Sequence, residues 1–332
     1  MHRLYRVYYH VPMNRRPPAC ILLAALIFTG ACSHAETALP GPATVPEVRA
    51  DAPVQETELP EAMARDYLVR VLVEKGVEVG RARSLIGDPR LVIDPGFILK
   101  NLRIAPPKDS TKTPGIMTYD PAFIARGRAF IRENAQQFRA IEERYGTSPR
   151  IVTAVLVIES RLGTYPMRYR AMRVFSNMTL VQDQAFVEGL REHYPGLCEL
   201  LDDEQILKTA TAKARWASGE LYQLIVLADE LGLDPHEIMG SVSGALGPAQ
   251  FIPSTFRKYG EDGDADGRKD PFSLPDAMAS IAGFLKKSGW RENGDEKRNR
   301  QALWIYNHSD IYVNTILKIY QELSAPDAES GP

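Results

Sequence analysis

From residue 59 onward, apolar side chains recur at three- and four-residue intervals, the period of an amphipathic helix. The pattern predicts helices over 62–75, 79–86, 120–145, 150–162, 205–217, 218–230, 235–239, 253–259, 274–287 and 299–324. Asp120-Pro121 and Ser148-Pro149 are start signals, a polar cap followed by a Pro suited to the first turn. The stretch 150–162 stands apart: Ile151, Val152, Ala154, Val155, Leu156, Val157 and Ile158 leave it no polar face. A helix that is apolar all round is central and buried. Its β-branched content argues for a strand, whereas its cap and length argue for a helix. No two-residue alternation is sustained anywhere and no repeat recurs, so the chain reads as mainly α. Residues 91–114, rich in Pro, Asp and Lys, read as a long connector.

The first sixty residues follow other rules. Arg15-Arg16-Pro17-Pro18 precedes a short apolar run from Cys20 to Ala31. That run is too short to span a bilayer, and with its basic flank it reads as a secretory signal over 1–31. Met13, just before the flank, is a second candidate start. Thr29-Gly30-Ala31-Cys32 resembles the lipobox of bacterial lipoproteins, which would leave Cys32 lipidated; Thr29 replaces the usual Leu. Cleavage after Ser33-His34-Ala35 would release a soluble protein instead. Residues 32–60 hold Ala, Pro, Glu and Thr without an aromatic side chain, the composition of a flexible tether. The expected division is signal 1–31, tether 32–60, N-terminal helical region and connector 61–118, main domain 119–324 and a disordered tail 325–332.

Composition narrows the function classes. The 332 residues carry 40 basic and 42 acidic side chains, a formal charge of −2. That gives nucleic-acid binding no bulk electrostatic support. Three cysteines, Cys20, Cys32 and Cys198, make neither a disulfide framework nor a thiolate zinc site.

The chemistry centres on Glu159, which directly follows the apolar run. Burial disfavours its charged form, and so does the partial negative charge at a helix C-terminus. A carboxylic acid protonated near neutral pH suits a general acid acting on a glycosidic oxygen. A structural ion pair with Arg161 or Arg168 is the competing reading. Two further segments bear on the choice. Ser241-Val-Ser-Gly-Ala-Leu-Gly-Pro-Ala-Gln250-Phe-Ile-Pro253 is Gly-rich, then punctuated by Pro, and brings Gln250 to a helix entrance. Trp304-Ile305-Tyr306-Asn307-His308-Ser309 precedes the last amphipathic run.

In this order the three segments resemble the lytic transglycosylases of the lysozyme-like superfamily, particularly the membrane-bound B type. The likeness spans about 120–323. It implies a goose-lysozyme-like catalytic domain with a small calcium-loop subdomain. It also implies cleavage of the β-1,4 bond between N-acetylmuramic acid and N-acetylglucosamine in peptidoglycan, leaving a 1,6-anhydromuramoyl end. By position, the resemblance makes Glu159 the single acid and then base. Ser241 would orient Glu159 or the acetamido group, Gln250 would bind a sugar, and Tyr306 with Asn307 would line the cleft. No cofactor is expected for catalysis. The expected partners are glycan strands and cell-wall synthesis enzymes, in a monomeric protein of the periplasm anchored to the outer membrane. A muramidase-type hydrolase and a non-catalytic peptidoglycan-binding lipoprotein are the rival readings.

The segment Asp262-Gly-Asp264-Ala-Asp266-Gly-Arg268 has the alternating oxygen ligands and central Gly of an EF-hand-type calcium loop, Arg268 through its carbonyl. Its twelfth position is Ser273 rather than Glu. The resemblance points to Asp276 as the closing ligand. Structural calcium, weakly held and exchangeable with sodium, is expected in preference to a plain acidic turn.

Overall fold

The computed structural model describes residues 61–98, 115–193 and 204–324. The signal and tether expected over 1–60, Cys32 included, and the tail at 325–332 lie outside them. Among the described residues, no helix is long and apolar enough to cross a membrane.

Helices α1 (Glu61–Glu74) and α2 (Val79–Gly87) pack against each other at the N-terminal end. The main body holds α3 (Ala122–Glu133), α4 (Ala135–Tyr145) and α5 (Pro149–Ser160), then strand β1 (Tyr169–Arg170) and α6 (Ala171–Thr179). There follow α7 (Gln184–His193), α8 (Glu204–Leu231), strand β2 (Met239–Gly240), α9 (Pro253–Tyr259), α10 (Leu274–Ser288), α11 (Glu296–Tyr306) and α12 (Asp310–Ser324). Buried apolar side chains from Ala64 to Leu323 form one contiguous cluster. Its centre is α5, enclosed by α3, α4, α10 and α12. Residues 151–157 of α5 are all buried, so the all-apolar stretch is a central helix as its pattern predicts.

Several expected boundaries are corrected. The 120–145 helix is two helices, because Asn134 leaves helical backbone (φ −106°, ψ 26°) while its side-chain amide bonds back to the Phe130 carbonyl at 2.8 Å. The helices expected over 205–217 and 218–230 are one, α8; the Ser218 hydroxyl bonds back to the Arg215 carbonyl at 2.8 Å instead of breaking the helix. The final stretch divides at Asn307, whose backbone is extended (φ −143°). Pro235 to Met239 form a turn that runs into β2, where the Asp234 carboxylate accepts from the His236 N–H at 2.9 Å. The strands were not expected at all: β1 and β2 pair antiparallel, Tyr169 opposite Gly240 and Arg170 opposite Met239. Two residues each is too short for an alternation to register.

The start of the expected connector is packed, with Leu91, Phe97 and Ile98 buried; residues 99–114 lie outside the description. Arg90 ties this end to the body, meeting Asp88, Asp234 and Glu237 at 2.7 Å each. Arg170 reaches the same Glu237 at 3.0 Å. These pairs are largely exposed, so each is worth little alone; the buried contacts of Leu68 and Leu72 do more to hold α1 in place.

Candidate active site

Helix α5 ends on Glu159 and Ser160, and the chain then turns sharply. Arg161 (φ 52°) and Leu162 (φ 61°) take left-handed backbone, a conformation non-glycine residues adopt at a cost. Backbone bonds from Leu162 to the Leu156 carbonyl (2.9 Å) and from Tyr165 to the Ser160 carbonyl (2.8 Å) hold the turn. The Ser160 hydroxyl accepts from the Gly163 N–H at 2.9 Å. Glu159 is thus fixed at the mouth of the buried helix with 9% of its surface exposed.

Burial pushes the Glu159 carboxyl up to about 7, and only the Tyr312 hydroxyl opposes the shift. That hydroxyl faces the carboxyl without reaching ordinary hydrogen-bond geometry. Among the described residues, neither an arginine nor a second acid is among the influences on the Glu159 carboxyl, which favours a protonated acid over the expected alternative of an ion pair with Arg161 or Arg168. Tyr312 is the residue the sequence reading missed. It lies on α12, fully buried, and nothing local marks it.

Tyr306 is brought to the same place. Its ring stacks on Tyr312 (centroids 6.2 Å apart, planes at 11°), and the Glu159 charge joins burial in raising its phenol. Its hydroxyl donates to the Ala249 carbonyl at 2.6 Å. This bond ties the end of α11 to the Gly-rich segment, one residue from Gln250. Phe251 and Phe284 complete the support, with ring centroids 5.5 Å and 4.9 Å from Tyr306.

The Gly-rich segment is tight for identifiable reasons. Leu246 bridges Phe251, and Gly244 and Gly247 both have positive φ. A Cβ on Gly247 would lie 1.7 Å from the Pro271 carbonyl oxygen, and one on Gly244 would strike the Phe175 ring. Gln250 is left-handed too (φ 51°), and its amide nitrogen bonds to the Gly247 carbonyl at 2.8 Å and the Met167 sulfur at 3.4 Å. Its amide oxygen therefore remains as an acceptor. The Ser241 hydroxyl accepts from the N–H groups of Ser243 (3.2 Å) and Ala245 (3.1 Å). It braces its own loop and does not act on Glu159, so its expected role of orienting that carboxyl is not seen. Asn307 is 3% exposed, with its amide oxygen buried and unpartnered.

The acidic loop is a separate feature. One carboxylate oxygen each from Asp262, Asp264 and Asp276 lies within 4.8 Å of the others. Asp262 Oδ1 is buried with no partner. Asp276 is buried at the start of α10 and accepts from the Gly263 and Asp270 N–H groups, both at 2.7 Å. Asp266 stands outside the trio and accepts from the Arg268 N–H at 2.8 Å. Ser273 serves as the cap of α10. An orphaned buried oxygen amid clustered carboxylates fits a hard cation, which Asp262, Asp264 and Asp276 would hold.

The description "Transglycosylase SLT domain" matches residues 116–299, more than half of the chain and inclusive of Glu159, Ser241 and Gln250. The chain belongs to this family. Within this transglycosylase family, the membrane-bound lytic murein transglycosylase B of Escherichia coli is 24% identical over 170 residues, covering 51% of this chain and 39% of the relative. The aligned part thus spans well under half of that relative. The crystal structure of the soluble lytic transglycosylase SltB1 of Pseudomonas aeruginosa has the same fold. Its TM-score is 0.59 at 20% identity, over 79% of this chain and 98% of that one. SltB3 of P. aeruginosa, crystallised with NAG-anhNAM-pentapeptide, matches with TM-score 0.59 at 18% identity over 80% of each chain. The mainly helical, lysozyme-like fold and the resemblance to B-type lytic transglycosylases are thereby borne out.

Proposed function

We propose that the protein is a peptidoglycan lytic transglycosylase that cleaves the MurNAc-β-1,4-GlcNAc bond with Glu159 as its single catalytic carboxyl. The observation that carries this is the raised Glu159 carboxyl, on which no second acid acts among the described residues. Two-carboxylate glycosidases need a partner to stabilise or attack the anomeric carbon. Here the substrate's own N-acetyl oxygen takes that part. Protonated Glu159 gives its proton to the glycosidic oxygen, and the bond to the anomeric carbon breaks. The 6-hydroxyl of the same muramoyl residue then attacks that carbon and returns its proton to Glu159. Water is not consumed, and the enzyme ends protonated for the next cycle. The anhydromuramoyl peptide in the SltB3 crystal is the product such a route leaves.

The supporting roles follow from unspent hydrogen-bond capacity. The Gln250 oxygen accepts from a sugar hydroxyl. Ser241, its oxygen taken up by two backbone donors, offers its proton to the acetamido group. Tyr306, committed to Ala249, holds the Gln250 segment against Glu159, and the free Asn307 oxygen lies at the end of the same helix. Asp262, Asp264 and Asp276, with Asp266 and the Arg268 carbonyl on the same loop, would hold a calcium ion whose charge braces the segment after the Gln250 loop. The E. coli relative is membrane-bound by name, which supports a membrane location; a lipid on Cys32 would supply the anchor, in the periplasm at the outer membrane. The test is mass spectrometry of digested sacculi. Anhydro-terminated muropeptides are expected; reducing ends alone would make the protein a hydrolase.

A further inference from the structure

One part of the Trp304-to-Ser309 segment has no role in the reaction above. Trp304 and Tyr306 lie two helical positions apart, about 200° around α11, so they face opposite ways. Tyr306 turns inward to Ala249. Trp304 turns outward into a cavity of ≈ 610 Å³ between α11 and α12. Lys297, Arg300, Gln301 and Trp304 line one wall at intervals of three and four, a single stripe of α11, and Asp310 and Val313 of α12 line the other. Glu159, Ser241, Gln250, Tyr306 and Tyr312 are not among its lining residues, so the cavity is distinct from the Glu159 site.

The walls are preset. The Trp304 ring is half-buried and meets His308 edge-on at 4.1 Å, which fixes the indole. The Arg300 guanidinium is held by the Asn314 amide oxygen at 2.6 Å. Two cations, Lys297 and Arg300, are outnumbered by the three acids Asp295, Glu296 and Asp310 around the rim. Such a lining rewards neither a polyanion nor an acidic membrane surface. An aromatic face ringed by mixed donors and acceptors suits a neutral, amphipathic ligand rich in hydroxyl and amide groups. The volume falls in the range of small-ligand sites, roughly 300–1,000 Å³.

We propose that the α11–α12 groove is a second saccharide site, taking N-acetylated sugar units of a glycan strand away from the scissile bond. This rests on the reading that the protein works on peptidoglycan. The groove holds the enzyme on a polymer through a second, linked contact, which raises retention without touching the chemistry. It has no effect on a substrate too short to reach it.

The test uses the full chain with Lys297→Ala and Gln301→Ala combined, both exposed positions. In a Glu159→Gln background, co-sedimentation with purified sacculi is expected to weaken about threefold to tenfold, the size of one or two lost hydrogen bonds. With Glu159 present, turnover of sacculi falls, while cleavage of a soluble tetrasaccharide and the melting temperature stay unchanged. Unchanged sedimentation overturns the proposal. So does an equal loss on the tetrasaccharide, which would place the effect at Glu159. If the parent protein cleaves nothing yet sedimentation still depends on Lys297 and Gln301, the groove stands and the reaction assignment alone fails.

Discussion

Glu159 and Asp276 are both carboxyls at the edge of a buried helix, and they are treated in opposite ways. Asp276 sits at the start of α10, where its two oxygens accept two backbone N–H groups at 2.7 Å. Glu159 sits at the end of α5, where helix carbonyls rather than N–H groups point outward, and only a phenol faces it. Burial raises both pKa values. For Asp276 the backbone donors hold the rise down, and neighbouring Asp264 and Asp262 add to it. The difference shows how one residue class serves two ends. A buried acid given donors is a structural tie; one denied them keeps a proton to donate.

The largest expected effect comes from removing the proton. Glu159→Gln should cut lytic activity about 10²- to 10⁴-fold or more, the range for a lost general acid, measured as anhydromuropeptide release. The same change should stabilise the fold at alkaline pH. The folded pKa of about 7 exceeds the ordinary glutamate value of 4.5, so between these values the unfolded chain releases a proton that the native one keeps. Native stability from this group therefore falls as pH rises through that window. Relief above pH 7 should approach about 3 kcal/mol, fading toward pH 4.5, as read from melting curves of the two proteins.

Asp276→Ala should go the other way, with the larger loss at low pH, because its raised pKa makes the native contribution of this group fall as pH rises. It leaves the part-buried N–H groups of Gly263 and Asp270 without their partner, a loss of about 1 kcal/mol. A variant that melts like the parent would show that the two carboxyls do not differ as described.

Smaller is Tyr312→Phe. Without the hydroxyl that holds the Glu159 pKa down, the alkaline limb of the rate profile should move to higher pH, with the fold intact. An unmoved limb would sever Tyr312 from the acid. Smallest is the cation. Calcium should raise the melting temperature by mass action on the native state, and Asp264→Ala, at an exposed position, should abolish that rise.

The contrast also explains what the sequence could show. Glu159 is legible because its cause is local: seven apolar neighbours on one helix place it. The clustering of Asp262 and Asp264 is legible because their spacing is fixed by one loop. Tyr312 is not legible, since its tie to Glu159 spans more than 150 residues and arises only when α12 packs on α5. The break at Asn134 and the continuity of α8 through Ser218 turn on which carbonyl one polar side chain chooses, and composition is silent on that choice. Ser241 shows the converse. Its position in the motif is apparent, yet its hydroxyl is spent on its own loop.

The most direct check is a carbon-13 titration of the glutamate carboxyls, with the Glu159 signal assigned by its absence in Glu159→Gln. A midpoint near 7 is predicted. A midpoint at the ordinary 4.5 would leave the site without a proton at neutral pH and contradict the account.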